Sequence, residues 1–193
     1  MLRLILLSAT LLAAAAQAVA ADYMLDTAHT QARFAAKHFA ISTVEGRIPV
    51  TAGTLSTGAN DVPAAFSATL DLRKLNTEDD RRDSDLRSPD WFDVAKYPTM
   101  TFTSTQVTPG PDNTFTANGN LTFHGVTKPV TLTGKVEGKY ADSRGRTHIG
   151  YSATGTIDRR QWNLLFNGAN PAGNLVVSNE IEIRLNAEAV GKP

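Results

Sequence analysis

The sequence predicts an all-β protein, an antiparallel eight-stranded β-barrel with a short helical crossover capping one end. Three observations carry that expectation. Alternation of apolar and polar residues with period two runs through long segments and outweighs any helical period. Threonine, which favours pleated and half-buried surfaces, occurs 22 times after position 20. Several runs reach about ten residues against a usual strand length of about five or six, and strands that long are better closed on themselves than left as a sheet with two exposed edges.

In chain order, residues 1–20 read as an export address rather than as part of the fold. Arg3 gives a positive start, Leu4 to Ala16 is almost unbroken Leu, Ile and Ala, and Ala18-Val19-Ala20 is a small-x-small cleavage site. The apolar run falls short of the roughly 20 residues of a spanning helix, and no later run approaches that length. Cleavage is expected near Ala20/Ala21, leaving 21–193 as a single exported domain with no transmembrane span. The chain has 19 basic and 19 acidic side chains and no cysteine. The balance argues against a nucleic-acid partner, which would call for a basic excess. The missing cysteine excludes disulfides, thiolate metal sites and thiol catalysis.

Strands are expected at 31–39, 46–57, 65–73 and 99–108. Cleaner alternation marks 115–123, 130–140, 149–157 and 177–187. Turn signals separate them at Gly58-Ala59-Asn60-Asp61, Pro109-Gly110-Pro111-Asp112, His124-Gly125, Asp142-Ser143-Arg144-Gly145 and Asn170-Pro171-Ala172-Gly173. Residues 76–97 do not alternate. Glu78–Arg82 and Asp83–Arg87 have the i,i+4 spacing of helical ion pairs, and Ser88-Pro89 is a second start signal, so one or two short helices are expected to close one end of the barrel.

One face of the predicted barrel is apolar but diluted by Ala117, Gly119, Gly134, Gly138, Ala153 and Gly155, which points to an unfilled interior. Such a cavity has few polar partners and suits an apolar chain better than a sugar or nucleotide. Strand parity selects Phe34, His38, Phe66, Leu70, Phe102, Leu121, Phe123, Leu132, Val136, Tyr151 and Ile183 as ligand contacts, with 76–97 as a lid. The same alternation would also fit an outer-membrane barrel turned inside out, but the apolar face lacks aromatic girdles.

Chemistry-bearing motifs are sparse. No two of His29, His38, His124 and His148 share metal-ligand spacing, and His38 and His124 read first as structural groups at the barrel end. The acidic run 78–85 lacks the order of a calcium loop. No Gly-x-Ser-x-Gly elbow and no phosphate loop occur. No catalytic residue, metal or cofactor is expected.

Three segments resemble one family. They are Arg82-Asp83-Ser84-Asp85-Leu86-Arg87-Ser88-Pro89-Asp90-Trp91-Phe92-Asp93 continuing to Phe102, Gly119-Asn120-Leu121-Thr122-Phe123-His124-Gly125-Val126-Thr127-Lys128-Pro129-Val130, and Gly150 to Arg159. Asp26-Thr27-Ala28-His29-Thr30 and a Glu45-Gly46 turn fit as well. They resemble the YceI-like proteins, a lipocalin-like periplasmic group described as polyisoprenoid-binding. The resemblance implies a lipocalin-like barrel in the periplasm that holds an isoprenoid or similar long-chain lipid, with no established reaction. Two positions depart from the family pattern: Asp85 stands where His is common, and Trp162-Asn163 where Phe-Gly is common. Beside the lipid carrier stand two other readings: a hydrolase or isomerase acting on the lipid head through His38 or His124, and a stress-related protein that works through a protein partner. A second copy of the chain is the remaining partner the sequence leaves open.

Overall fold

Alternating residues build nine antiparallel strands: β1 (Asp22–Leu25), β2 (Gln31–His38), β3 (Ser42–Thr57), β4 (Pro63–Asp71), β5 (Thr99–Pro109), β6 (Thr114–Phe123), β7 (Val126–Ala141), β8 (Thr147–Asp158) and β9 (Val177–Gly191). Among the described residues one α-helix, α1 (Asp80–Arg87), lies between β4 and β5, beside three short 3-10 turns. The structure is a computed structural model that describes residues 22–166 and 168–191; the expected export segment and its cleavage site lie outside them.

The strands run β3-β2-β9-β8-β7-β6-β5-β4, and β4 pairs back onto β3, so the sheet closes as eight staves. The ninth strand does not add a stave. Both β1 and β2 sit between β3 and β9: Tyr23 opposes Leu55 and Gly191, and Ala32 opposes Ile48 and Leu185. They are one stave broken at Asp26–Thr30. The break is pinned by Asp26, whose Oδ1 accepts the Ala28 N–H at 2.9 Å and whose own N–H donates to the Glu188 carbonyl at 2.8 Å. Four residues are too few for alternation to register in the sequence, so β1 was not expected.

The apolar parity faces inward along every long strand. On β6, Phe115, Ala117, Leu121 and Phe123 are buried, and on β7, Val130 and Leu132. The outer face carries exposed ion pairs, such as Arg184 with Glu45 at 2.9 Å and with Glu182 at 2.8 Å. Pairs of that kind add little stability, but they place the charged parity outside. This is the reverse of the outer-membrane arrangement, in which the apolar parity faces out.

The interior glycines do not leave the space their size suggests. Gly134 lies opposite Phe115 on the neighbouring strand, and a Cβ there would come within 2.5 Å of both the ring Cζ and the Ser152 carbonyl oxygen. Gly46 stands in the same relation to Phe34 (2.4 Å to Cζ). Glycine here lets an aromatic ring lie flat against the sheet, and the ring fills the room. Gly46 is therefore inside β3 rather than in the Glu45-Gly46 turn that the sequence suggested.

The crossover is held by carboxylates acting on backbone. Asp79 caps α1 by accepting the Arg82 N–H at 2.9 Å. Asp83, 3% exposed, accepts from the Thr77 N–H (2.9 Å) and hydroxyl (2.5 Å). The expected i,i+4 ion pairs do not form. Arg82 donates instead to the Thr77 hydroxyl and carbonyl (2.8 and 2.7 Å), and Arg87 to the Leu75 carbonyl (3.3 Å). Enclosed backbone carbonyls are costly if left unpaired, and the buried Asp83 already has its partners in Thr77. Ser88-Pro89 opens a series of turns and not a second helix.

Candidate ligand cavity

All the strand ends near α1 belong to one end of the barrel. Here lie the β2–β3 turn (Phe39–Ile41), the crossover, the His124-Gly125 turn and the connection from Arg159 to Val176. Part of this end is plugged. Trp162, 1% exposed, donates its indole N–H to the Leu121 carbonyl at 3.1 Å. Phe92 meets Phe123 edge-on, with centroids 5.0 Å apart. His124 Nδ1 lies 3.0 Å from the Trp162 carbonyl, and its ring packs on Tyr97. His124 is thus committed to holding the plug.

Beside the plug a cavity of about 840 Å³ runs into the barrel. That is near the top of the usual range of about 300–1,000 Å³ for small-molecule sites. Nine of the eleven expected contacts line it: Phe34, His38, Phe66, Leu70, Phe102, Leu121, Leu132, Tyr151 and Ile183. Phe123 is instead packed against Phe92, and Val136 packs against the core without lining the cavity. Parity told which way these two side chains point, but not which part of the inner wall the cavity leaves open. The wall also includes Ile48, Val50, Ile181 and Leu185, which the expected set omitted although they share the inward parity. At the end away from α1 the Tyr151 hydroxyl donates to the Asp61 carbonyl at 2.8 Å, and burial pushes that hydroxyl well above the ordinary range.

Polar groups collect at the mouth: Lys37, His38, Arg82, Asp85, Ser88, Asp90 and Arg159. Arg159 is 3% exposed. Its guanidinium donates to the carbonyls of Ser178 (3.0 Å), Phe166 (2.7 Å), Val177 (3.2 Å) and Leu164, and lies 5.9 Å from the Trp91 ring centroid. Asp158 pairs with Arg160 instead. Burial draws the Arg159 pKa below its ordinary value, yet a guanidinium stays charged. Carbonyl dipoles thus balance this cation, and it ties the 164–177 connection to the barrel. Sequence reasoning missed it, although it extends the inward parity of Tyr151, Ala153, Gly155 and Ile157.

At the opposite end, Asp26, His29 and Glu188 offer ligand atoms within 4.8 Å of one another. Each is already engaged: His29 Nδ1 lies 2.9 Å from Asp26 Oδ2, and Glu188 Oε1 lies 2.6 Å from His148 Nδ1. His148 also reaches Asp142 Oδ2 at 3.3 Å. This chain of acids and imidazoles locks the broken stave to β8 and β9.

Comparison with known proteins agrees with this architecture. Residues 23–189 match the YceI-like domain. Protein YceI of Escherichia coli is 35% identical over 186 residues, covering 94% of this chain and 93% of that one. The crystal structure of the Campylobacter jejuni YCEI protein is similar with a TM-score of 0.69 and 27% identity, over 81% of this chain and 90% of that one. A domain of Saccharophagus degradans described as polyisoprenoid-binding shares the fold, with a TM-score of 0.63 and 17% identity over 88% and 98% of the two chains.

Proposed function

The chain belongs to the YceI-like family, and from that premise we propose that it is an exported, periplasmic binding or carrier protein for an isoprenoid-type lipid, a polyprenyl chain or a quinone-like molecule. It is read as a non-enzyme. The observation that carries the proposal is the cavity of about 840 Å³, lined mainly by apolar side chains, with charged residues gathered at the end near α1. An apolar chain entering it exchanges water for Phe, Leu, Ile and Val side chains. Burial contributes about 0.8 kcal/mol per CH₂, so each five-carbon unit adds about 3–4 kcal/mol before ordering costs. A polar head would remain at the mouth beside His38, Lys37 and Asp85. The description of the Saccharophagus domain as polyisoprenoid-binding supports the same ligand class, and the export segment read at 1–20 supports the location.

The test is native mass spectrometry of the protein isolated from its cells, followed by solvent extraction. A lipid near one per chain, of prenyl-type mass, is the expected result. A chain free of lipid that takes up no prenyl compound in vitro would overturn the carrier reading.

A further inference from the structure

The described residues expose five large hydrophobic side chains, and three of them stand at the cavity mouth: Ile41 (83% exposed), Leu165 (63%) and Phe166 (40%). They sit on two neighbouring tips, the β2–β3 turn and the 164–176 connection. The Phe39 N–H donates to the Val176 carbonyl at 3.1 Å, which joins the tips. Phe166 stacks at 4.8 Å on Trp91, and both Phe166 and Val176 also line the cavity. The exposed apolar surface is therefore continuous with the cavity wall.

The turn itself is built against local preference. Phe39 and Ala40 both adopt positive φ (49° and 61°), and the Ile41 N–H closes the turn onto the His38 carbonyl at 3.1 Å. Two such residues are normally Asn-Gly, because a Cβ is disfavoured there. The turn instead presents Ala40 and Ile41 to solvent, with Phe39 half-buried against His38.

Charge follows the same division. Residues 37–43 and 159–178 contain no acidic residue, and of their cations Arg159 is buried on carbonyls and Arg160 is paired with Asp158, which leaves Lys37 as the exposed one. The carboxylates at the mouth, Asp85 and Asp90, belong to the crossover and not to these tips.

We infer that this rim docks on a lipid bilayer, with Ile41, Leu165 and Phe166 inserted at the headgroup boundary and the cavity mouth turned to the membrane. Apolar tips without acidic residues are suited to that boundary. A soluble partner would have to cover a surface that the lipid must cross, whereas a bilayer is itself the source and sink of the lipid. The inference rests on the carrier reading above for its purpose, but its geometry stands on the rim alone.

The test is flotation with phosphatidylethanolamine vesicles containing phosphatidylglycerol. It compares the isolated protein with an Ile41→Asp/Leu165→Asp double variant. Each sample is checked by intact mass to have lost residues 1–20, whose apolar run would bind vesicles by itself. Prenyl uptake from detergent solution is measured in parallel. The native chain is expected to float with the vesicles and the double variant to bind at least tenfold less, with unchanged uptake from detergent. Failure of the native chain to bind, or equal binding by the variant, overturns the docking inference. So does light scattering that finds a dimer which the variant breaks, since a second copy then covers the rim. Rim-dependent vesicle binding without prenyl uptake leaves docking in place and removes the carrier reading instead.

Discussion

Phe115 of β6 lies flat over Gly134 of β7, so close that a Cβ on the glycine would stand 2.5 Å from the ring and equally close to the Ser152 carbonyl oxygen. The ring could shift, but a ladder carbonyl cannot move without breaking the β7–β8 pairing. Gly134→Ala should therefore destabilise by about 1–3 kcal/mol, the usual cost of overpacking. At about 2–4 °C per kcal/mol for a chain of this size, differential scanning calorimetry should read a drop of several degrees. An unchanged Tm would show that the ring does not rest where described.

Ile183 points into the cavity from β9, with Phe34 opposite it on β2 and Gly155 opposite it on β8. Ile183→Lys places an ammonium against an apolar chain and should cut prenyl retention at least tenfold. Glu182→Lys, on the outer face of the same strand, should leave retention unchanged. Both are checked by native mass spectrometry of folded protein.

Arg159 is the tie between the barrel and the 164–177 connection. Arg159→Lys keeps the charge but loses the planar fork that reaches several carbonyls at once. Hydrogen bonds to charged groups contribute about 1.5–3 kcal/mol each, so amide exchange in 168–177 should speed up by tenfold or more, with smaller changes in β6 and β7. Exchange that rises evenly over the whole chain would mean that the residue serves global stability and not this connection.

His148 lies between Glu188 and Asp142, and the first of these is the main reason its pKa stands above the ordinary 6.5. A group with a raised folded pKa contributes stability that is complete below its unfolded pKa and lost as pH rises through the folded value. The Tm should therefore fall as pH is raised upward from 6.5, and His148→Gln should flatten that limb. His29, raised chiefly by Asp26, has the same sign, so His29→Gln is the companion variant that separates the two. On the acid side, Asp142 is held below its ordinary value by the Arg146 backbone N–H first. Its contribution is present above pH 3.8 and disappears below it.

Phe39-Ala40 holds two L-residues at positive φ, at about 1–2 kcal/mol each. Replacing the pair with Asn-Gly should raise the Tm by several degrees with prenyl uptake unchanged. A lower Tm would mean that the Phe39 ring contributes more through its contact with His38 than its backbone costs.

The barrel was legible because inward and outward residues differ in kind along β6 to β9, so period two survives for whole strands. Cavity contacts followed from parity alone, which explains why Phe123 and Val136 were included: alternation gives direction but not which inward side chains meet the cavity and which meet other side chains. The small inward residues pointed to a cavity, but not to its place: the room at Gly134 and Gly46 is taken by Phe115 and Phe34 on neighbouring strands, and such pairing partners cannot be read from one strand. The β2–β3 turn carries no Gly or Asn to announce it, and β1 is too short to alternate. The acids of 78–85 suggested side-chain ion pairs, whereas Asp79 and Asp83 are taken up by backbone N–H groups and Thr77.

Because the split stave is completed by Tyr23 facing Gly191, the ring of strands cannot close before β9 is in place. A chain that has emerged only as far as β8 encloses no guest, since β2 and β8 meet only through β9. The start of β1 and the end of β9 lie side by side, away from the mouth. A short linker joining them, with new termini cut at the Asp142–Arg146 turn, should give a circular permutant with the same interior. Such a permutant would keep its strands while reversing the order in which the seam is made.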